Sequence, residues 1–201
     1  MPLHIFEARY SQMLADCLEH DRQFGIVYLP AGNEETAIEA GSVGTIGRIE
    51  SVVPLPNDRS NIVVTGTERF SFRDFADGEA PYHVALIDTY DDEDEDPRPL
   101  SDLAGQVRTQ FARVSKAAKV LASDDSEPPA LPNDPALLAF FIGSLLDLDA
   151  AARQQLLTVR SPLSRLVTIE ALLTAAVGPL EQRAMVHSVA KQNGHGPRTA
   201  S

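Results

Sequence analysis

The chain of 201 residues is 43% apolar and 23% charged, with a net charge of -12. That is the composition of an ordinary globular protein with one large domain or two small ones, and it excludes wholesale disorder. The charge is uneven: residues 1–90 hold 14 acidic against 6 basic side chains, 91–98 hold 6 against 1, and 99–201 hold 9 against 10. With only 3 lysines in the chain and no basic cluster in its first half, phosphate-backbone binding by counterion release is disfavoured. Cys17 is the sole cysteine, which excludes an intramolecular disulfide and a cysteine-cluster metal site. No run approaches the ~18 apolar residues of a membrane span, and Met1-Pro2-Leu3-His4 does not begin like a secretory signal. The expected compartment is the cytoplasm, with no membrane attachment.

From Ile5 to Leu18, apolar residues recur every three or four positions (Ile5, Phe6, Tyr10, Met13, Leu14, Cys17, Leu18), the mark of one face of an amphipathic helix. Phe24–Leu29 predicts a strand, ended by the Pro30–Asn33 turn. Gly41 to Leu55 is β-branched and interrupted by Gly44 and Gly47, which predicts bulges that let a sheet curl. A turn at Pro56–Arg59 leads into a strand at Ser60–Thr65. Gly66 interrupts, Arg69–Phe72 resumes the pattern, and a last strand runs from Tyr82 to Tyr90. Residues 1–90 therefore predict a β-rich subdomain with one helix and a partly closed sheet.

Residues 91–99 open with six consecutive acids, Asp91 to Asp96. Mutual repulsion predicts a solvated linker, and the run lacks the interior glycine of a turning Mg²⁺ or Ca²⁺ loop. Beyond it the period turns helical, predicting a bundle over residues 100–180. Ser101 can cap a helix carrying Leu103, Val107, Phe111, Val114 and Leu121; a Pro-rich acidic loop at residues 123–133 follows. Asp134-Pro135 starts a second helix, Asp149 caps a short third, and Ser161-Pro162 starts a fourth that Gly178-Pro179 is expected to stop. Residues 181–201 form a C-terminal segment whose polar end, from about Asn193, is expected to be disordered.

Motifs for chemistry are missing. The sequence has no phosphate loop and no Gly-x-Ser-x-Gly elbow. Its histidines, His4, His20, His83, His187 and His195, show no zinc-binding spacing. Cys17 sits on the apolar face of the first helix, where an inert packed thiol is expected rather than a nucleophile. Ser115-Lys116 are adjacent and point to different sides of a helix. No catalytic residue, metal or cofactor is expected.

Five segments in order carry a resemblance. Pro2–Tyr10 with Met13-Leu14, Gly44–Ile49, Leu55–Arg59 with Gly66–Phe70, Pro81–Ala85, and Gln154–Leu157 with Arg165-Leu166 resemble the N-terminal substrate-binding domain of Lon proteases, here in a stand-alone bacterial form. The resemblance implies an α+β fold, a PUA-like β-rich N-terminal subdomain followed by an α-helical bundle. It also implies a non-catalytic, proteolysis-related module that binds unfolded or exposed protein segments. Family members carry a further strand before the Pro2–Glu7 motif, so the chain is expected either to lack an edge strand or to start upstream.

The expected binding groove lies at the junction of sheet and bundle, with Tyr10, Phe70 and Tyr82 as candidate lining residues. Glu7 and Arg69 are expected to pair and anchor the first helix to the sheet. An RNA-binding PUA-like module is the alternative, although the basic, aromatic stripe it needs is missing. An enzyme with an unrecognised carboxylate site is the third reading.

Overall fold

The computed structural model describes residues 1–193, so the polar tail beyond them, with His195, lies outside the described residues. The chain divides into two compact units, Met1–Asp91 and Asp92–Ser201.

The first unit is an open antiparallel sheet with one helix. Its strands are β1 (Pro2–Ile5), β2 (Gln23–Val27), β3 (Val43–Leu55), β4 (Arg59–Phe75) and β5 (Ala85–Thr89), and helix α1 is Ala8–Glu19. The strand order is β1-β4-β3-β2, with β5 also on β4, and the sheet does not close. β4 runs unbroken through Gly66 because its long partner β3 supplies hydrogen bonds on both sides of that glycine. On its other side β4 pairs with β1 at Ser60–Val63 and with β5 at Phe70–Phe75. The register shifts between Thr45 and Gly47 and between Ile49 and Ser51, the irregularities that the glycine-interrupted pattern suggested. α1 starts at Ala8 rather than Ile5, since Pro2–Ile5 is drawn into the ladder with β4. Ile5, Leu14, Ile49, Ile62 and Val64 form the core beneath it.

Glycine at position 44 has a packing reason. A Cβ there would sit 2.4 Å from the Phe70 ring and 2.7 Å from the Ile26 carbonyl oxygen. Phe70 itself is only 3% exposed. It fills the space left by the missing side chain and is a core residue, not a surface for ligands.

The second unit contains α2 (Pro97–Ala122), α3 (Pro135–Leu145), α4 (Ala150–Thr158) and α5 (Pro162–Asn193). Asp96, Asp134 and Asp149 cap the first three by accepting backbone N–H bonds from Arg98, Ala136 and Ala152. The caps at Asp134 and Asp149 are those expected from sequence. α2 starts earlier than Ser101 because Pro97 takes the first helical turn, where a missing N–H costs nothing. The core is a continuous cluster in which Val107, Leu138, Ile142, Leu166, Ile169 and Leu173 are wholly buried. Arg113 reaches Glu181, and Ser123 meets Lys191, each pair 68 residues apart; α2 and α5 therefore run in the same direction.

Two expectations need correcting. Gly178-Pro179 does not stop α5, which continues to Asn193. Pro179 forfeits one hydrogen bond, but Val177 and Ala184 on either side of it are buried, and that packing holds the helix together. Nor is the whole acidic run free in solvent: Asp91, Glu93, Asp94 and Asp96 are exposed as expected, but Asp92 and Glu95 are partly buried. Both oxygens of Asp92 accept from Arg165, Glu95 accepts from Ser161 Oγ and the Leu163 N–H, and Asp96 caps α2. Helix N-termini and a buried guanidinium neutralise charges that would otherwise repel.

Pro162–Lys191, whose most apolar 18-residue window has a mean hydropathy of 1.4, is long and apolar enough by length and composition to cross a membrane. That average was not visible as an unbroken apolar run. Its stripe of Leu166, Ile169 and Leu173 belongs to the core of this unit.

Candidate recognition surface

The candidate residues of the first unit gather where α1 meets the segments between strands. Glu7 stands at the N-cap of α1, and its backbone carbonyl accepts the N–H groups of Tyr10 and Ser11. Its carboxylate takes the Nε–H of Arg9 at 2.9 Å. Arg69 is elsewhere, its guanidinium 5.2 Å from the centre of the Tyr90 ring. Glu7 therefore takes its ion pair from Arg9 rather than from Arg69.

Glu35, in a short 3-10 turn at Glu35–Ala37, is the hub that sequence reasoning missed. Arg9 donates to both of its carboxylate oxygens at 2.8 Å. Tyr10 donates its hydroxyl to Oε1, and His83 Nε2 lies 3.5 Å from Oε2. The Arg9 guanidinium also stands 4.5 Å from the Tyr10 ring centre. The Tyr10 hydrogen bond and the Arg9 charge hold the Glu35 carboxyl below its ordinary range. Burial, with Glu35 next to it, pushes the Tyr10 phenol up to about 12. One residue before His83, Tyr82 donates to Asp16 on α1 at 2.7 Å. That bond raises the Tyr82 phenol to about 12 and lowers the Asp16 carboxyl.

Tyr10 and Tyr82 are thus both half-buried and both tied to carboxylates around α1. Together with Arg9 and His83 they latch the segments after β2 and before β5 onto that helix. The only sequence signal for Glu35 was its place in a polar stretch, Gly32 to Thr36, with no periodicity. Chemically the cluster is poor in reactive groups. Glu35 and Asp16 are held ionised, the tyrosines are held protonated, and burial pushes the nearby Cys17 thiol up, which disfavours the reactive thiolate. Among the described residues no group of three His, Cys, Asp or Glu side chains could hold a metal.

What the latch leaves open is β5. All five of its residues are exposed, including Leu86 at 47% and Ile87 at 41%, and Val84 just before it is exposed as well. β5 pairs with β4 alone, so its other edge has no strand partner among the described residues. An apolar strand with a free edge is a template for another extended chain.

A family model described as the ATP-dependent protease La (LON) substrate-binding domain matches residues 1–175. The chain belongs to the Lon substrate-binding domain family. It is 25% identical over 194 residues to a Lon protease of Azospirillum brasilense, covering 96% of this chain and 24% of that protein. It is 28% identical over 181 residues to Lon protease 2 of Herpetosiphon aurantiacus, covering 88% and 22%. The chain therefore spans about a quarter of the length of these curated relatives. Among solved structures, the N-terminal domain of the Mycobacterium avium complex Lon protease superposes with a TM-score of 0.61 at 16% identity, over 87% of this chain and 90% of that one. A Lon N-terminal domain protein from Xanthomonas campestris gives 0.54 at 20% identity, over 85% and 88%. These structures share the fold, a β-sheet part followed by helices.

Proposed function

We propose that the chain is a non-catalytic recognition module that binds unfolded or exposed polypeptide segments, and that the free edge of β5 is where an extended segment adds. The observation that carries this reading is the match of residues 1–175 to a substrate-binding domain. The exposed, apolar, singly paired β5 supports it physically: backbone hydrogen bonds along the edge give affinity without demanding a fixed sequence, and Leu86 and Ile87 supply apolar contact. The acidic excess of the first ninety residues favours basic clients by electrostatic steering. Tyr10 and Tyr82 contribute indirectly, by fixing the segment from which β5 emerges. Proteins are the partners, nucleic acid and membrane are not, and the module works in the cytoplasm alongside proteolysis.

The test is fluorescence anisotropy with reduced, carboxymethylated α-lactalbumin, which cannot refold, set against the native protein and a single-stranded RNA. The unfolded form binds and the other two do not. Binding of RNA, or equal binding of both protein forms, overturns the reading.

A further inference from the structure

The second unit holds a cavity of about 590 Å³ between the C-terminal parts of α2 and α5 and the loop that follows α2. Its volume falls in the range of small-ligand sites, roughly 300–1,000 Å³. Its walls are largely apolar: Phe111, Val120, Pro128, Pro129 and Leu131. All three lysines of the chain, Lys116, Lys119 and Lys191, line it, with the His187 ring beside them. In a protein of net charge -12, gathering every lysine around one apolar cavity is a local reversal of charge.

Lysines near the end of a helix compensate its dipole, and Lys119 and Lys191 stand in the last turns of α2 and α5. Lys116 stands earlier, and it still faces the cavity. Parallel packing of α2 and α5 brings the two sets to one end of the bundle, with Lys191 Nζ donating to Ser123 Oγ at 3.4 Å. Lys119 also feels Asp124, and Lys116 feels Glu181, which Arg113 already holds with two hydrogen bonds.

We propose that this cavity binds a small amphiphilic carboxylate, its apolar body against Phe111 and Leu131 and its head among the lysines. The charge count selects a monoanion: three lysines against the lining Asp124 and Asp125 leave a formal charge of +1. A phosphate dianion would meet those two carboxylates and the carbonyl ends of two helices. It would also lack the planar arginine fork or helix N-terminus that phosphate sites use. The site is independent of the β5 edge, and neither proposal depends on the other.

Isothermal titration calorimetry on the full chain with octanoate, 1-octanol and octyl phosphate tests it. Octanoate binds saturably at one site, and octanol binds at least about tenfold more weakly, the value of a charge-assisted contact. The Lys116→Gln/Lys119→Gln variant loses about tenfold or more for octanoate, and Ala112→Trp, which fills the cavity, abolishes binding. These positions are at or near the surface, and circular dichroism checks that helicity is kept; should either variant lose it, Lys191→Gln provides the same comparison. No saturable heat with octanoate, octanol binding as tightly, octyl phosphate binding more tightly, or indifference to the lysine substitutions would each overturn the proposal.

Discussion

Arg165, with no exposed surface, is gripped by both carboxylate oxygens of Asp92 at 2.5 and 2.6 Å. Its guanidinium also donates to the carbonyls of Val159 and Ala136 and stacks 4.2 Å from the Phe140 ring centre. One side chain thereby ties the start of the unit, the beginning of α3, the end of α4 and the first turn of α5. Removing Asp92 leaves a buried cation short of its counter-charge, so Asp92→Ala should destabilise the chain by about 3 kcal/mol. Arg165→Met/Asp92→Ala should recover much of that loss. Urea denaturation of the three proteins checks the pattern; equal stability of Asp92→Ala and wild type would contradict it.

The contact between Gly44 and Phe70 makes a second prediction. Gly44→Ala forces a methyl group against the Phe70 ring and the Ile26 carbonyl, an overpacking cost of about 1–3 kcal/mol. Phe70→Leu added to it should give a double variant more stable than the sum of the two losses, because the pair is coupled. Additive losses would show that the contact is not the cause.

Part of the acid sensitivity should trace to Glu35. Its folded carboxyl is held below the ordinary 4.5, so its contribution is present above pH 4.5 and is lost as the pH falls through the folded value. Glu35→Gln should cost about 1 kcal/mol at neutral pH, discounted for partial exposure, with the gap from wild type closing in acid. Tyr10 gives the opposite limb. Its phenol is raised from 10.0 to about 12, so its contribution holds below pH 10 and fades as pH rises toward 12. Melting temperatures of wild type, Glu35→Gln and Tyr10→Phe across pH test both signs.

Pro179 interrupts the hydrogen bonding of α5 at an exposed position. Pro179→Ala should raise stability, by about 1–3 kcal/mol, since the proline costs a helix interior about 3 kcal/mol. A lowered melting temperature would contradict this.

Much of this fold was legible in the sequence because it rests on local chemistry. Asp134-Pro135 and Asp149 announced helix starts with their own side chains, and Gly44 and Gly47 announced irregular strand pairing. What was not legible depends on partners distant in the chain. The repulsion expected of Asp91–Asp96 ignored a buried arginine some 73 residues away. The stop expected at Pro179 ignored the packing on either side of it. The candidate surface was read in the same mixed way. Tyr10 and Tyr82 were found from their motifs, and Phe70, from an equally good motif, turned out to fill the space over a glycine. Glu35 had no periodicity to reveal it, and Arg9 competed locally for the carboxylate assigned to Arg69.

Capture of unfolded chains is proposed at the exposed apolar edge of β5. Leu86→Lys/Ile87→Lys places two charges on β5 where a client would make apolar contact, removing about 1 kcal/mol for each half-exposed side chain that the client would bury. Anisotropy titration of this variant against carboxymethylated α-lactalbumin is the most direct measurement. At least about a tenfold loss of affinity is expected, with melting temperature little changed; wild-type affinity in a folded variant would contradict the assignment to β5.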